Sequence, residues 1–173
     1  EYHDAAQASG GLLAPVADIA RFVGAGMTGA RAATRADSTR RPGVLDRASL
    51  RALYAPQVPI PGLFGLVADA YGFGHFIETL PDGRRAVWHG GQGHGWMTHF
   101  HAVPASGDGI VILTNSQRSW PLMAEVLQDW ARWSGAGAVK MGRITYAVMA
   151  LRALIGVIVL VTLGQVYRLA RGL

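Results

Sequence analysis

The chain has 173 residues, 16 Lys+Arg against 11 Asp+Glu, 23 Gly, no Cys and a formal net charge of +5. That length provides one domain with a real core and excludes two complete ones, while a hydrophobic half and only 16% charged residues exclude a disordered chain. The missing cysteine excludes a disulfide scaffold, a thiolate metal site and a cysteine nucleophile, without fixing a compartment.

In chain order, Ser9 or Gly10 to Thr28 reads as a short loop and then an amphipathic helix. Pro15 suits its first turn, Val16, Ile19, Ala20, Val23 and Met27 recur at helical spacing, and Gly29 is the expected stop. Gly24 to Gly29 matches G-x-G-x-x-G by spacing, but it ends a helix where a dinucleotide site needs a strand before it, so it reads as a helix terminus. Ala30 to Gly43 reads as a loop, Leu45 to Tyr54 as a second short helix, and Pro56 to Gly62 as a long turn region. From Tyr71 the period becomes two: Tyr71, Phe73, His75 and Ile77 form one expected strand before the turn Pro81-Asp82-Gly83. Arg85 to His89, Trp96 to Val103 and Ile110 to Leu113 are three more, and the short links between them imply an antiparallel meander. Trp120 to Trp133 closes the domain as an amphipathic helix, giving an α+β layer.

The charge lies in the tail. Residues 1 to 139 hold 11 Arg and 11 Asp+Glu, whereas Lys140, Arg143, Arg152, Arg168 and Arg171 follow with no acid. A neutral body without a basic stripe excludes nucleic acid as a partner. Ile144 to Tyr167 carries Arg152 as its one charge and, as a helix, extends about 36 Å, enough to cross a hydrocarbon core of about 30 Å. Residues 144–167 are therefore expected to cross a lipid bilayer once. Arg152 lies nine residues in, within reach of the Lys140 and Arg143 side by snorkelling. A buried or interfacial C-terminal helix is the alternative, since Ala153 to Gly164 would alone permit it.

The chemistry visible within the chain is one-sided. S-x-x-K is absent, because Lys140 is the one lysine and Gly137 precedes it by three; Y-x-N is absent, because Asn115 is the one asparagine and Leu113 precedes it by two. G-x-S-x-G, H-E-x-x-H and a P-loop are also absent. The densest stretch is Trp88 to His101, with glycines at 90, 91, 93 and 95 where a ligand or another chain can approach the backbone closely. Exposed N–H groups there could serve an oxyanion or a substrate backbone; a glycine-rich hairpin without a ligand is the plain alternative. His89, His94, His99 and His101 raise a metal reading, but no carboxylate lies between Asp82 and Asp108 and no zinc spacing is matched, so no metal and no cofactor are expected.

Four blocks carry a resemblance: ASGGLLAPVADIARFV at Ala8 to Val23, YGFGHFIE at Tyr71 to Glu78, WHGGQGHGW at Trp88 to Trp96, and GIVILTNS at Gly109 to Ser116. In that order they resemble the beta-lactamase-related serine hydrolases, which include class C beta-lactamases, D-alanyl-D-alanine peptidases and esterases of the penicillin-binding-protein fold. The resemblance covers about Ala8 to Trp133. It implies an α+β fold, the C-terminal part of a beta-lactamase/transpeptidase-like architecture with an antiparallel sheet flanked by helices, followed here by a C-terminal transmembrane helix.

The resemblance assigns roles along one strand. His89-Gly90-Gly91 looks like the family's third motif, K-T-G in lactamases and often H-x-G in relatives. His89 would then supply a polar or cationic group near the substrate, Gly91, with Gly90 and Gly93, would line the path of the substrate, and the backbone N–H of Gln92 would give half of an oxyanion hole. The nucleophilic Ser, its Lys and the Tyr of the second motif lie, in the family, upstream of the Gly10-Gly11-Leu12 block. Residues 1–139 are thus expected to be the C-terminal half of a hydrolase domain, inactive by itself, and residues 140–173 its basic-flanked anchor. Histidine in place of lysine makes the positive charge pH-dependent, since imidazole titrates near about 6.5, which favours an esterase or peptidase over a strong beta-lactamase.

The expected function is a membrane-anchored serine hydrolase forming an acyl-enzyme on a small ester, beta-lactam or peptide, with its domain on the extracytoplasmic side of a bacterial cell membrane. The rival is a non-catalytic, membrane-tethered cell-wall-binding or scaffold protein of the same fold. The residues preceding Glu1 separate the two.

Overall fold

A computed structural model describes residues 10–28 and 45–172. Helix α1 (Val16–Ala25) follows Pro15, and helix α2 (Arg47–Leu53) starts on Asp46, whose carboxylate accepts the Ser49 N–H at 2.7 Å. Six strands follow: β1 (Val58–Pro59), β2 (Ala70–Tyr71), β3 (Phe76–Thr79), β4 (Arg85–Gly93), β5 (Trp96–Val103) and β6 (Asp108–Thr114). They form one antiparallel sheet in sequence order. Helices α3 (Trp120–Ser134) and α4 (Arg143–Ala170) complete the chain, and 3-10 turns occupy Gly62–Leu66 and Lys140–Gly142.

The meander has six strands where four were expected. Tyr71 to Ile77 is not one strand: the chain reverses between Tyr71 and Phe76, with the Gly72 N–H bonded to the His75 carbonyl and Gly74 at φ 72°. Only glycine takes that backbone without strain, so the period of two runs straight through a turn. The Pro-rich region expected to be irregular contributes β1 and a 3-10 turn. β4 runs four residues past His89, and the link to β5 shrinks to His94 and Gly95. α1 ends at Ala25 with Gly26 as its cap, short of the expected Thr28, so the glycine spacing there does belong to a helix terminus. Gly29 and the loop expected over Ala30 to Gly43 lie outside the described residues.

Alternation along the strands builds two cores. Ala86, Trp88 and Val103 face α3 and meet Leu127, Trp130 and Ala131, with Leu80, Val139 and Met141 sealing the end. Val87, Ala102 and Ile77 face the other way and meet Val23 of α1, with Ile19, Met27, Phe100 and Val111 around them. Met27 lies so close to Gly109 that a Cβ there would approach its Cε to 2.6 Å, which lets α1 settle on β6. Burying each large side chain of these layers contributes about 1.5–3 kcal/mol. The result is a sheet with a helix on each face, an α+β arrangement.

α4 differs from everything before it. With the preceding 3-10 turn it forms a helix over Lys140–Ala170 that is long and apolar enough to cross a membrane, and none of its apolar window is buried against the rest of the chain.

Candidate active site

Among the described residues, no strand pairs with the outer side of the glycine-rich half of β4. β3 pairs with β4 from Thr79–Arg85 to Phe76–Trp88 and goes no further, whereas β5 accompanies β4 to Gly93. The Leu80 N–H bonds to the Arg84 carbonyl at 2.8 Å, which sets the parity of the β3–β4 ladder. Residues 84, 86 and 88 direct their backbone groups toward β3, and by alternation Gly90 and Gln92 do the same where β3 no longer lies. The Gln92 N–H therefore points off the sheet edge, on the side that β3 does not cover.

His89 sits where the covered part of β4 gives way to the open part. Its ring is partly buried, with Nε2 3.3 Å from the Tyr71 hydroxyl and the ring centroid 5.5 Å from that of Phe76. Tyr71 packs edge-on against Phe76 at 4.8 Å, and Phe76 stacks on Trp88 at 4.3 Å, so an aromatic ladder holds the histidine's hydroxyl partner in place. Tyr71 was not among the expected site residues. Its sequence signal was its position at the head of the YGFGHFIE block, but the contact with His89 depends on the hairpin between β2 and β3.

The glycines of β4 carry cross-strand packing. A Cβ on Gly91 would come within 2.6 Å of Thr98 Oγ1, and the indole of Trp96 fills the space a Cβ on Gly93 would need. A Cβ on Gly90 would sit 3.3 Å from the Thr98 carbonyl and 3.5 Å from the Trp120 ring, at the start of α3. The Gln117 amide donates to the Gly93 carbonyl at 2.6 Å, fixing the end of the hairpin. Thr98, Trp96, Gln117 and Trp120 thus shape this edge; Trp96 and Thr98 lie within the dense stretch Trp88 to His101, whereas Gln117 and Trp120 reach it from outside that stretch.

Below the edge, between β5 and α3, lies a buried polar group. His101 Nε2 is 3.1 Å from Glu78 Oε1, both side chains wholly buried, in a close approach without hydrogen-bond alignment. The other Glu78 oxygen accepts the backbone N–H of Lys140 at 2.7 Å. His99, its ring 5.7 Å from that of His101, has no hydrogen-bond partner on either nitrogen among the described residues. Burial, reinforced by His101 and His89, pushes the His99 imidazole from its ordinary 6.5 down to about 3, so it is neutral. On the opposite face His75 is also pushed down by burial, partly offset by the Phe73 carbonyl 2.7 Å from its Nδ1. Among the described residues no group of three or more His, Cys, Asp or Glu side chains is arranged to hold a metal ion.

The expected site residues His89, Gly90, Gly91, Gln92 and Gly93 all lie on this one edge, and His99 and His101, weighed only as metal ligands, lie in the core behind it. No curated protein matches the chain at a significant level. A family model described as Beta-lactamase matches residues 1–132, taking in α1, the whole sheet and most of α3. The chain belongs to the Beta-lactamase family.

Proposed function

We propose that the chain is the C-terminal part of a membrane-anchored serine hydrolase that acts through an acyl-enzyme on a small ester, peptide or beta-lactam. The observation that carries the reading is the open half of β4, where the Gln92 N–H points off the edge beside a histidine held by Tyr71. In this reading a substrate lies along His89–Gly93 with its carbonyl oxygen on the Gln92 N–H, and His89 faces the substrate's polar group. A serine supplied by residues preceding Glu1 attacks the carbonyl carbon, the substrate's C–O or C–N bond breaks with the serine's proton passing to the departing alcohol or amine, and water then hydrolyses the acyl-serine.

Two features support a partner segment of that kind. Among the described residues β6 pairs only with β5, leaving a seven-residue edge, and Leu12, Leu13 and Phe22 on the α1 side are 78%, 85% and 70% exposed. α4, apolar and unburied, supports the anchor, and the family resemblance alone is the ground for putting the hydrolase domain on the extracytoplasmic face of a bacterial membrane. The lack of S-x-x-K and Y-x-N in these 173 residues supports a second reading, a tethered binding protein of the same fold.

One experiment separates the two. The protein expressed from its whole reading frame in membranes is treated with a fluorescent fluorophosphonate and a fluorescent penicillin, and assayed on a short-chain p-nitrophenyl ester. The hydrolase reading expects covalent labelling and turnover that falls sharply in His89→Ala. Absence of both labelling and turnover in a folded protein leaves the binding reading standing.

A further inference from the structure

Residues 58 to 68 carry no charged side chain, and within them the 3-10 turn exposes Leu63 by 83%, Phe64 by 67% and Leu66 by 51%. Three large apolar side chains so exposed on one short turn form a patch that calls for a partner. The turn is tightly wound: Gly62 adopts φ 66°, and a Cβ on Gly65 would come within 2.9 Å of the Ile60 carbonyl. Its surroundings show where it faces. The Arg143 guanidinium, on the first residue of α4, donates to the Leu66 carbonyl at 3.0 Å. Ile60, Val67 and Ile144 pack together against the core, and Lys140 pairs with Asp69. The turn is therefore bound to the first turn of the long apolar helix.

The same end of the domain presents other groups suited to a lipid boundary. Trp133, 82% exposed, lies in the last turn of α3, which leads through Gly135 to α4, and Tyr146, 68% exposed, lies in the first turn of α4. Exposed aromatic side chains at the junction of a polar domain and an apolar helix are characteristic of the membrane interface. The candidate active site is at the other end of the sheet: Arg85 pairs with Thr79 near the turn, and Gly93 lies about 26 Å further along β4 at about 3.3 Å per residue.

We infer that Leu63, Phe64 and Leu66 insert into the interfacial layer of the bilayer beside α4, as a second membrane contact that holds the domain with His89–Gly93 directed away from the lipid. The inference rests on the reading of α4 as a membrane span. The span alone would leave the domain free to tilt; the turn, clamped to the span by Arg143 and Lys140, fixes which end meets the headgroups.

These 173 residues contain no cysteine, so single-cysteine variants of the full-length protein, with any cysteine preceding Glu1 first changed to serine, can be labelled with an environment-sensitive fluorophore. Phe64→Cys, Val159→Cys in α4 and Ser116→Cys near the candidate site are reconstituted in phosphatidylcholine/phosphatidylglycerol vesicles, with and without doxyl-labelled lipids. The expected result is a blue-shifted signal at 64 that is lost to shallow doxyl groups, a signal at 159 lost to deep ones, and no loss at 116. Loss at 159 without loss at 64 keeps the span and overturns the insertion. No loss at either position overturns both. A blue shift at 64 that lipid quenchers leave intact means that protein, a second copy or an upstream segment, covers the turn, and also overturns the inference.

Discussion

The hydroxyl of Tyr71 lies 3.3 Å from Nε2 of His89, joining the last residue of β2 to the residue at which β4 leaves the cover of β3. In the hydrolase proposed above, Tyr71 would be a positioning residue acting through the imidazole. In the complete hydrolase, Tyr71→Phe is expected to lower ester turnover by about two- to tenfold, the kinetic equivalent of one neutral hydrogen bond worth about 0.5–1.5 kcal/mol. His89→Ala should cost more, and adding Tyr71→Phe to it should cost almost nothing further. Fully additive losses in that double-mutant cycle would show that Tyr71 acts independently of His89.

Gly91 presents two possible needs for its missing side chain, and they can be separated. A Cβ there would collide with Thr98 Oγ1, so Gly91→Ala should destabilise the protein by about 1–3 kcal/mol through overpacking. Thr98→Ala removes the obstructing hydroxyl and methyl and should restore the melting temperature in the double variant. If substrate also lies against this stretch, turnover stays low after stability returns. Recovery of both together assigns Gly91 to packing alone.

What could be read in the sequence follows from what is local. β5 begins and ends as expected, at Trp96 and Val103, because Met97, His99, His101 and Val103 alternate with residues of the other face. α3 likewise follows its apolar stripe, and α4 its composition. The turn at Gly72 to His75 was missed because Tyr71, Phe73, His75 and Ile77 keep a period of two through a reversal that Gly74 permits. The edge residues His89 to Gly93 were legible from their glycines and from the family resemblance. Their partners were not: Tyr71 with His89 and Glu78 with His101 meet through strand register, across separations of 18 and 23 positions that no local pattern encodes.

His99 makes a prediction about acid. Its imidazole is neutral and has no hydrogen-bond partner among the described residues, held in the sheet between Gly90 and Ile112, with His101 on its own strand and His89 on β4 as the titratable groups that act on it and Glu78 of β3 beyond His101. The folded-state value is depressed, so below about 6.5 the unfolded chain takes up a proton that the folded chain refuses. Stability is then lost progressively as pH falls from 6.5 toward 3. His99→Leu, which buries no unpaired nitrogen, is expected to melt at the same temperature as the parent or higher at pH 7 and to fall less on acidification. Parallel melting curves for the two proteins from pH 7 to 4 would remove His99 as a source of acid sensitivity.

Glu78 couples the sheet to the entry of α4, since one carboxylate oxygen accepts the Lys140 N–H at 2.7 Å and the other approaches His101 at 3.1 Å. Removing it strands a buried imidazole and a backbone donor together. Glu78→Ala is therefore expected to cost about 1–3 kcal/mol, the range for leaving a buried polar group without its hydrogen-bond partner. Because the lost N–H contact belongs to Lys140, the damage should reach the segment before α4: trypsin should cleave after Lys140 and Arg143 in the variant under native conditions that leave the parent intact. Glu78→Gln keeps an acceptor for Lys140 and should retain more of that protection. If Glu78→Ala lowers the melting temperature while the 140–143 segment stays as resistant as in the parent, the carboxylate serves the core alone and the coupling to α4 rests on Asp69 with Lys140 and on Leu66 with Arg143.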